Sequence, residues 1–159
     1  MYALLAATVL VVAADPAVEL EGNRLKLPQP ILFETGKASL KPESDAMLEL
    51  VKGYLEQKSY ISTLRIEVHS DNQGNAEANQ KLTEARAAAV FTALVKKGID
   101  CKRLIAVGFG STKPVADNST PEGKAQNRRT DFFNAALKGR AIGGLPLDGG
   151  GVVSSPACP

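Results

Sequence analysis

Asp71 and Arg86 are the side chains whose types and setting fit them best to handle a charged ligand. Asp71 follows the alternating run Ile66-Glu67-Val68-His69-Ser70, and Arg86 lies within the apolar run that begins near Ala78. A carboxylate accepts hydrogen bonds from a cation, and a guanidinium offers a planar set of N–H donors to an anion. Brought to one rim, the two would suit a ligand carrying both charges. The alternation predicts a short strand over 64–68, with Ile66 and Val68 on one face and Glu67 and His69 on the other. Ser70, Asp71, Asn72 and Gly74 break it. Leu82, Ala85, Ala89, Val90, Ala93 and Leu94 then recur at helical spacing, which predicts a helix over about 77–97 closed by Gly98. Asp71 is thereby set at a strand end, and Arg86 about two turns inside the next helix.

The remaining elements must hold that turn. Residues 17–30 alternate weakly and contain Pro28 and Pro30, so they read as a hairpin or edge strand leading into a core strand over 31–33. Pro42 opens a helix with Met47, Leu48, Val51, Tyr54 and Leu55 as its apolar stripe and Glu43 and Asp45 in its first turn, where the helix dipole favours acids. Further on come a strand over 104–109, a polar loop, a short helix near 122–126 and a last strand over 128–136. From Gly139 the glycine-rich sequence has neither period, and 139–159 reads as a flexible tail.

The composition suits one compact domain: 159 residues, 44% hydrophobic and 23% charged. A net charge of +2, from 19 scattered basic and 17 acidic residues, and the absence of Trp argue against nucleic acid as a partner. The apolar run from Ala3 to Ala14 is shorter than the ~20 residues a bilayer-spanning helix needs. Residues 1–14 read as a secretory signal peptide cut after Ala13 or Ala14, with no Cys nearby to accept a lipid. An exported chain could pair its two cysteines, Cys101 and Cys158. The loose tail favours leaving Cys101 as a small half-buried residue and Cys158 as a free thiol.

His69 is the only histidine, which rules out a multi-histidine metal site and suits a structural hydrogen-bonder. The Gly108 to Lys113 stretch lacks phosphate-loop spacing and reads as a turn. No Ser-His-Asp, Cys-His or HExxH arrangement is present, and neither a cofactor nor a metal is implied. Of Arg128 and Arg129, which alternate across a strand, one is expected to pair with an acid and the other to reach a ligand.

His69-Ser70-Asp71, Gly74, Asn79-Gln80-Lys81-Leu82-Thr83-Glu84-Ala85-Arg86-Ala87, Val90, Gly108-Phe109-Gly110 and Asn127-Arg128-Arg129, with Ile31 to Gly36 upstream, together resemble the OmpA-like peptidoglycan-binding domain over about residues 24–137. Val68 stands where that pattern has Gly, and Ser70 and Thr83 exchange its two hydroxyl residues. The resemblance implies an α+β fold of βαβαβ(α)β type, a mixed sheet with helices packed on one face, for residues 17–138. It implies a non-catalytic module that binds the diaminopimelate of a peptidoglycan stem peptide and anchors or positions something at the wall. The location would be the periplasm, in possible association with the outer membrane, with envelope proteins as further partners and the oligomeric state open. Asp71 and Arg86 would grip the ligand's ammonium and carboxylate. Asn79 would add an amide contact, Leu82 an apolar one, Phe33, Glu34 and Thr35 backbone groups, and Arg129 a further cation. The alternatives are an interaction domain that has lost wall binding and a wall hydrolase using Asp71 with Glu67 or Glu77.

Overall fold

The computed structural model describes residues 18–159; the expected signal peptide lies outside the described residues. A hairpin, β1 (Glu19–Glu21) and β2 (Arg24–Lys26), opens the described residues, and α1 (Asp45–Gln57), preceded by a 3₁₀ turn at Pro42–Ser44, follows a long loop. Next come β3 (Ile61–His69), α2 (Ala76–Lys96), β4 (Leu104–Gly110), α3 (Pro121–Asn127) and β5 (Arg129–Leu137), then two short strands, β6 (Arg140–Ala141) and β7 (Val152–Val153). The sheet order is β1-β2-β5-β3-β4-β7, with β6 on β5; β3 and β4 run parallel and β5 is antiparallel to β3. This is the expected α+β arrangement with a mixed sheet.

Strand alternation separates the two faces of the sheet. Leu64, Ile66 and Val68 of β3, Leu104 and Ala106 of β4 and Phe132 of β5 join one apolar cluster with the α1 stripe (Met47, Leu48, Val51, Tyr54, Leu55) and Ala87, Val90, Phe91 and Leu94 of α2. The α1 stripe is the one the sequence predicts. In α2 Val90 and Leu94 are buried as expected, together with Thr83, Ala87 and Phe91, whereas Ala85 is exposed and Leu82, Ala89 and Ala93 are half-buried. Alanine periodicity misplaces part of the buried face because an alanine loses little by staying in water. Gly98 takes a φ of +104° and closes α2 as expected. Val68, where the resembled pattern has Gly, is buried in extended backbone within β3, paired with Thr130 and Gly108.

Residues 31–33 are not a core strand. Only an isolated bridge joins Phe33 to Leu40, and the Leu32 N–H donates to Ser44 Oγ at 2.7 Å. Pro28 and Pro30 carry no N–H, so a continuous ladder cannot form there. Ile31 is nevertheless buried.

The segment after Gly139 also departs from expectation. Instead of a flexible tail, it forms a strap across the sheet face opposite the helices. β7 pairs antiparallel with β4, the Ser154 N–H donates to Ala106 O, and Arg65 Nη1 donates to Leu147 O. A Cβ on Gly151 would meet Phe109 Cζ at 2.8 Å, so the backbone lies where a side chain cannot fit. The strap ends in a disulfide between Cys101 and Cys158, with a Cα separation of 5.6 Å. Cys158 is therefore not a free thiol, and a tail pinned to β4 is what brings it to Cys101.

Beneath the strap lies a polar row on β3. Arg65 Nε donates to Glu67 Oε2 at 2.8 Å, and His69 Nε2 lies 3.2 Å from Glu67 Oε1. All three residues are buried, and the His69 ring stacks on Phe109 with centroids 4.8 Å apart. Burial pushes the Glu67 carboxyl up, but hydrogen bonds from His69 and Arg65 outweigh it and hold the group below its ordinary value.

Candidate functional site

A cleft of about 420 Å³ opens where the C-terminal end of β3 meets the loop before α1, the side of α2 and the start of β5. Phe33, Thr35 and Gly36 from the loop, Val68 and His69 from β3, Arg86 from α2, Arg128 from the junction after α3 and Arg129 from the start of β5 line it.

Arg86 is anchored by the loop. Its Nε donates to Lys37 O at 2.9 Å and its Nη2 to Glu34 O at 3.5 Å, while the guanidinium lies 4.9 Å from the Phe33 ring centroid. Among the described residues it takes part in no ion pair, and Nη1 has no acceptor. Burial disfavours its charge and lowers its pKa. A guanidinium held by neutral carbonyls and an aromatic face, short of a counter-ion among the described residues, can receive an anion.

Asp71 is not in the cleft lining, though its partner is. One carboxylate oxygen accepts from the Gln73 N–H at 3.0 Å and the other is paired with Arg128. Asp71 is 7% exposed, whereas the Arg128 side chain is 50% exposed. The helix cap is Asn75, whose side chain accepts from the Ala78 N–H at 2.9 Å. Asp71 therefore shapes the turn and holds Arg128 without capping α2.

The other expected site residues divide between the cleft and its supports. Phe33, Thr35 and Arg129 line the cleft. Glu34 acts through its carbonyl, which faces Arg86. Asn79 is turned onto the loop, donating from Nδ2 to Gln73 O at 2.6 Å, and neither it nor Leu82 lines the cleft. Arg129 pairs with Asp131 at 2.9 Å and donates to Lys113 O at 3.1 Å. Both arginines of the Asn-Arg-Arg run are therefore in ion pairs. Lys37 and Arg128 were missed as site residues; Arg128 carried a signal, as one of two arginines expected to split between an acid and a ligand.

The acids considered for hydrolysis are each held separately: Asp71 by Arg128, Glu67 by Arg65 and His69, and Glu77 by Lys81 at 3.3 Å. Among the described residues no cluster of His, Cys, Asp and Glu could hold a metal, and no helix is long and apolar enough to cross a membrane.

The OmpA family model matches residues 32–128, more than half of the 159-residue chain. The chain belongs to the OmpA family. Outer membrane porin F of Pseudomonas aeruginosa is 40% identical over 102 residues, covering 64% of this chain and 29% of the porin. The crystal structure of the peptidoglycan-associated lipoprotein from Burkholderia pseudomallei is 31% identical with a TM-score of 0.59, over 65% of this chain and 86% of that one. The cell wall anchor of the type VI secretion system from P. aeruginosa is 32% identical with a TM-score of 0.57, over 64% of this chain and 72% of the other. This OmpA-family chain spans only 13%, 51% and 29% of the first three curated relatives it matches.

Proposed function

We propose that this chain is a non-catalytic periplasmic module that binds peptidoglycan through the diaminopimelate of the stem peptide and so anchors or positions its carrier at the cell wall. The observation that carries this reading is Arg86: it lines the cleft, is fixed by two loop carbonyls and has no carboxylate partner among the described residues. A diaminopimelate side chain ends in an amine and a carboxylate on one carbon. The carboxylate would take the open N–H groups of Arg86, and the ammonium would take the Asp71 carboxylate in place of Arg128. The relatives named for peptidoglycan association and wall anchoring support the reading, as does the family to which the chain belongs.

Each charge-assisted hydrogen bond contributes ~1.5–3 kcal/mol net against ~4–15 kcal/mol lost on association, so a single stem peptide binds weakly. A lysine-type stem peptide, which lacks the side-chain carboxylate, is expected to bind ~1–3 kcal/mol less well by calorimetry. Equal affinity for the two peptides would refute the Arg86 role.

One observation favours a second reading, an interaction domain that has lost wall binding: both Asp71 oxygens already have protein partners. Pull-down on purified sacculi decides between them. Sedimentation of the natural protein, lost in Asp71→Ala and Arg86→Ala, supports wall binding; a natural protein that stays in the supernatant supports the second reading. Released muropeptides in the same tubes would instead identify a hydrolase.

A further inference from the structure

We propose that a second cleft, continuous with the first, receives a second carboxylate of the same peptide ligand, and that Arg128 turns from Asp71 to meet it. This rests on the peptidoglycan reading above. The second cleft has about 340 Å³ and shares Pro30, Ile31, Ala125, Arg128, Arg129 and Thr130 with the first. Its remaining wall comes from β2 and the loop after it, including Arg24, Leu27 and Gln29, and from Asp131 and Phe132 of β5. Arg24 to Ile31, Asp131 and Phe132 all lie outside the span that matches the family model.

A ligand that is part of a polymer has to leave the first cleft along some path, and the shared wall provides one. The charges along that path select what can follow it. Its charged lining is three arginines, Arg24, Arg128 and Arg129, to one acid, Asp131. Both Asp131 oxygens are already engaged, one 3.6 Å from Arg24 Nη1 and the other 2.9 Å from Arg129 Nε. The other acid on Arg24, Glu21 at 2.7 Å, has a side chain that is 67% exposed and stands outside the lining. Arg128 has Asp71, outside this cleft, as its acid partner, so the cleft gains a cationic surplus that calls for an anion once Arg128 leaves Asp71.

Arg128 links the two clefts. In the unliganded protein its guanidinium fills, on Asp71, the place proposed for the ligand's ammonium. When the ammonium arrives, the half-exposed Arg128 loses that partner and needs another, and the second cleft is the other space that it lines. The stem peptide supplies the anion: the glutamate joined to diaminopimelate through its γ-carboxyl keeps a free α-carboxylate. One residue thus acts as a placeholder for the ligand and then as its receptor.

Three probes test this by calorimetry: free diaminopimelate, the tripeptide L-Ala-γ-D-Glu-diaminopimelate, and the same tripeptide with the glutamate α-carboxylate amidated. The acid tripeptide is expected to bind roughly threefold to tenfold more tightly than the amidated one. That ratio should fall towards one in both Arg24→Gln and Arg128→Gln. Two variants guard against one of them merely disturbing its neighbours, and the acid-to-amide ratio within a single variant cancels a general loss of fold. Equal binding of the two tripeptides, with free diaminopimelate still bound through Arg86, would overturn the second-cleft assignment alone. A ratio that survives in both variants would overturn it as well. Failure of all three probes to bind would remove the peptidoglycan reading and this inference with it.

Discussion

Two residues show how charge is managed on either side of β3. Arg86 is left short of a counter-ion at a cleft, whereas Glu67 is buried with two donors and faces no ligand. The Glu67 pKa is held below its ordinary value, so this group's contribution to stability is complete above the unfolded-chain pKa near 4.3 and is lost as pH falls through the folded value. Urea denaturation as a function of pH should therefore show stability falling below about pH 4.5, and Glu67→Gln should flatten that acid limb. At neutral pH the same substitution is expected to cost ~3–5 kcal/mol, because it leaves Arg65 buried without its anion. At this scale the sequence was partly readable. Arg86 was legible from its place in the helical motif. The capture of Asp71 was not, since it depends on the antiparallel register His69↔Arg129, which brings Arg128 beside the turn after β3. That register is set by long-range pairing, and no local pattern encodes it.

Among the elements, the strap is the one that local patterns misread. Glycines and single prolines show neither strand nor helix periodicity, yet Gly151 is needed because the backbone presses on Phe109. The rows that the strap covers, Arg65 and Glu67 on β3 and Val107 and Phe109 on β4, are as buried as the helix-facing rows. A strand buried on both faces with charged residues in one of its rows implies a cover, and that signal was in the sequence of β3. The disulfide closes a separation of 57 residues, which by loop entropy corresponds to about 4 kcal/mol. Cys158→Ser is expected to lower the unfolding free energy by that order in urea titrations, and reductant should affect the natural protein but not the variant. By contrast, α1 and β3 were legible because their apolar residues report directly which face meets the core.

For the molecule as a whole, the proposed wall binding through a weak single site would make retention depend on number. The wall repeats its stem peptides, so two linked copies gain an effective concentration that one copy lacks. A tandem fusion of two domains through a flexible linker is expected to remain on washed sacculi 10²- to 10⁴-fold longer than the single domain, provided that the linker spans neighbouring peptides. Arg86→Ala in both copies should cancel the gain, measured as the fraction retained after successive washes.

The sheet order carries one more consequence. β5 is among the last strands in the chain but sits between β2 and β3, near the middle of the sheet. While the polypeptide emerges from its N-terminus, β3 has one flank open and the apolar cluster lacks Phe132. The centre of the sheet is therefore incomplete until residue 137 is available, and a nascent chain stalled just after the Asn-Arg-Arg run would expose an adhesive strand edge where the finished domain has its centre.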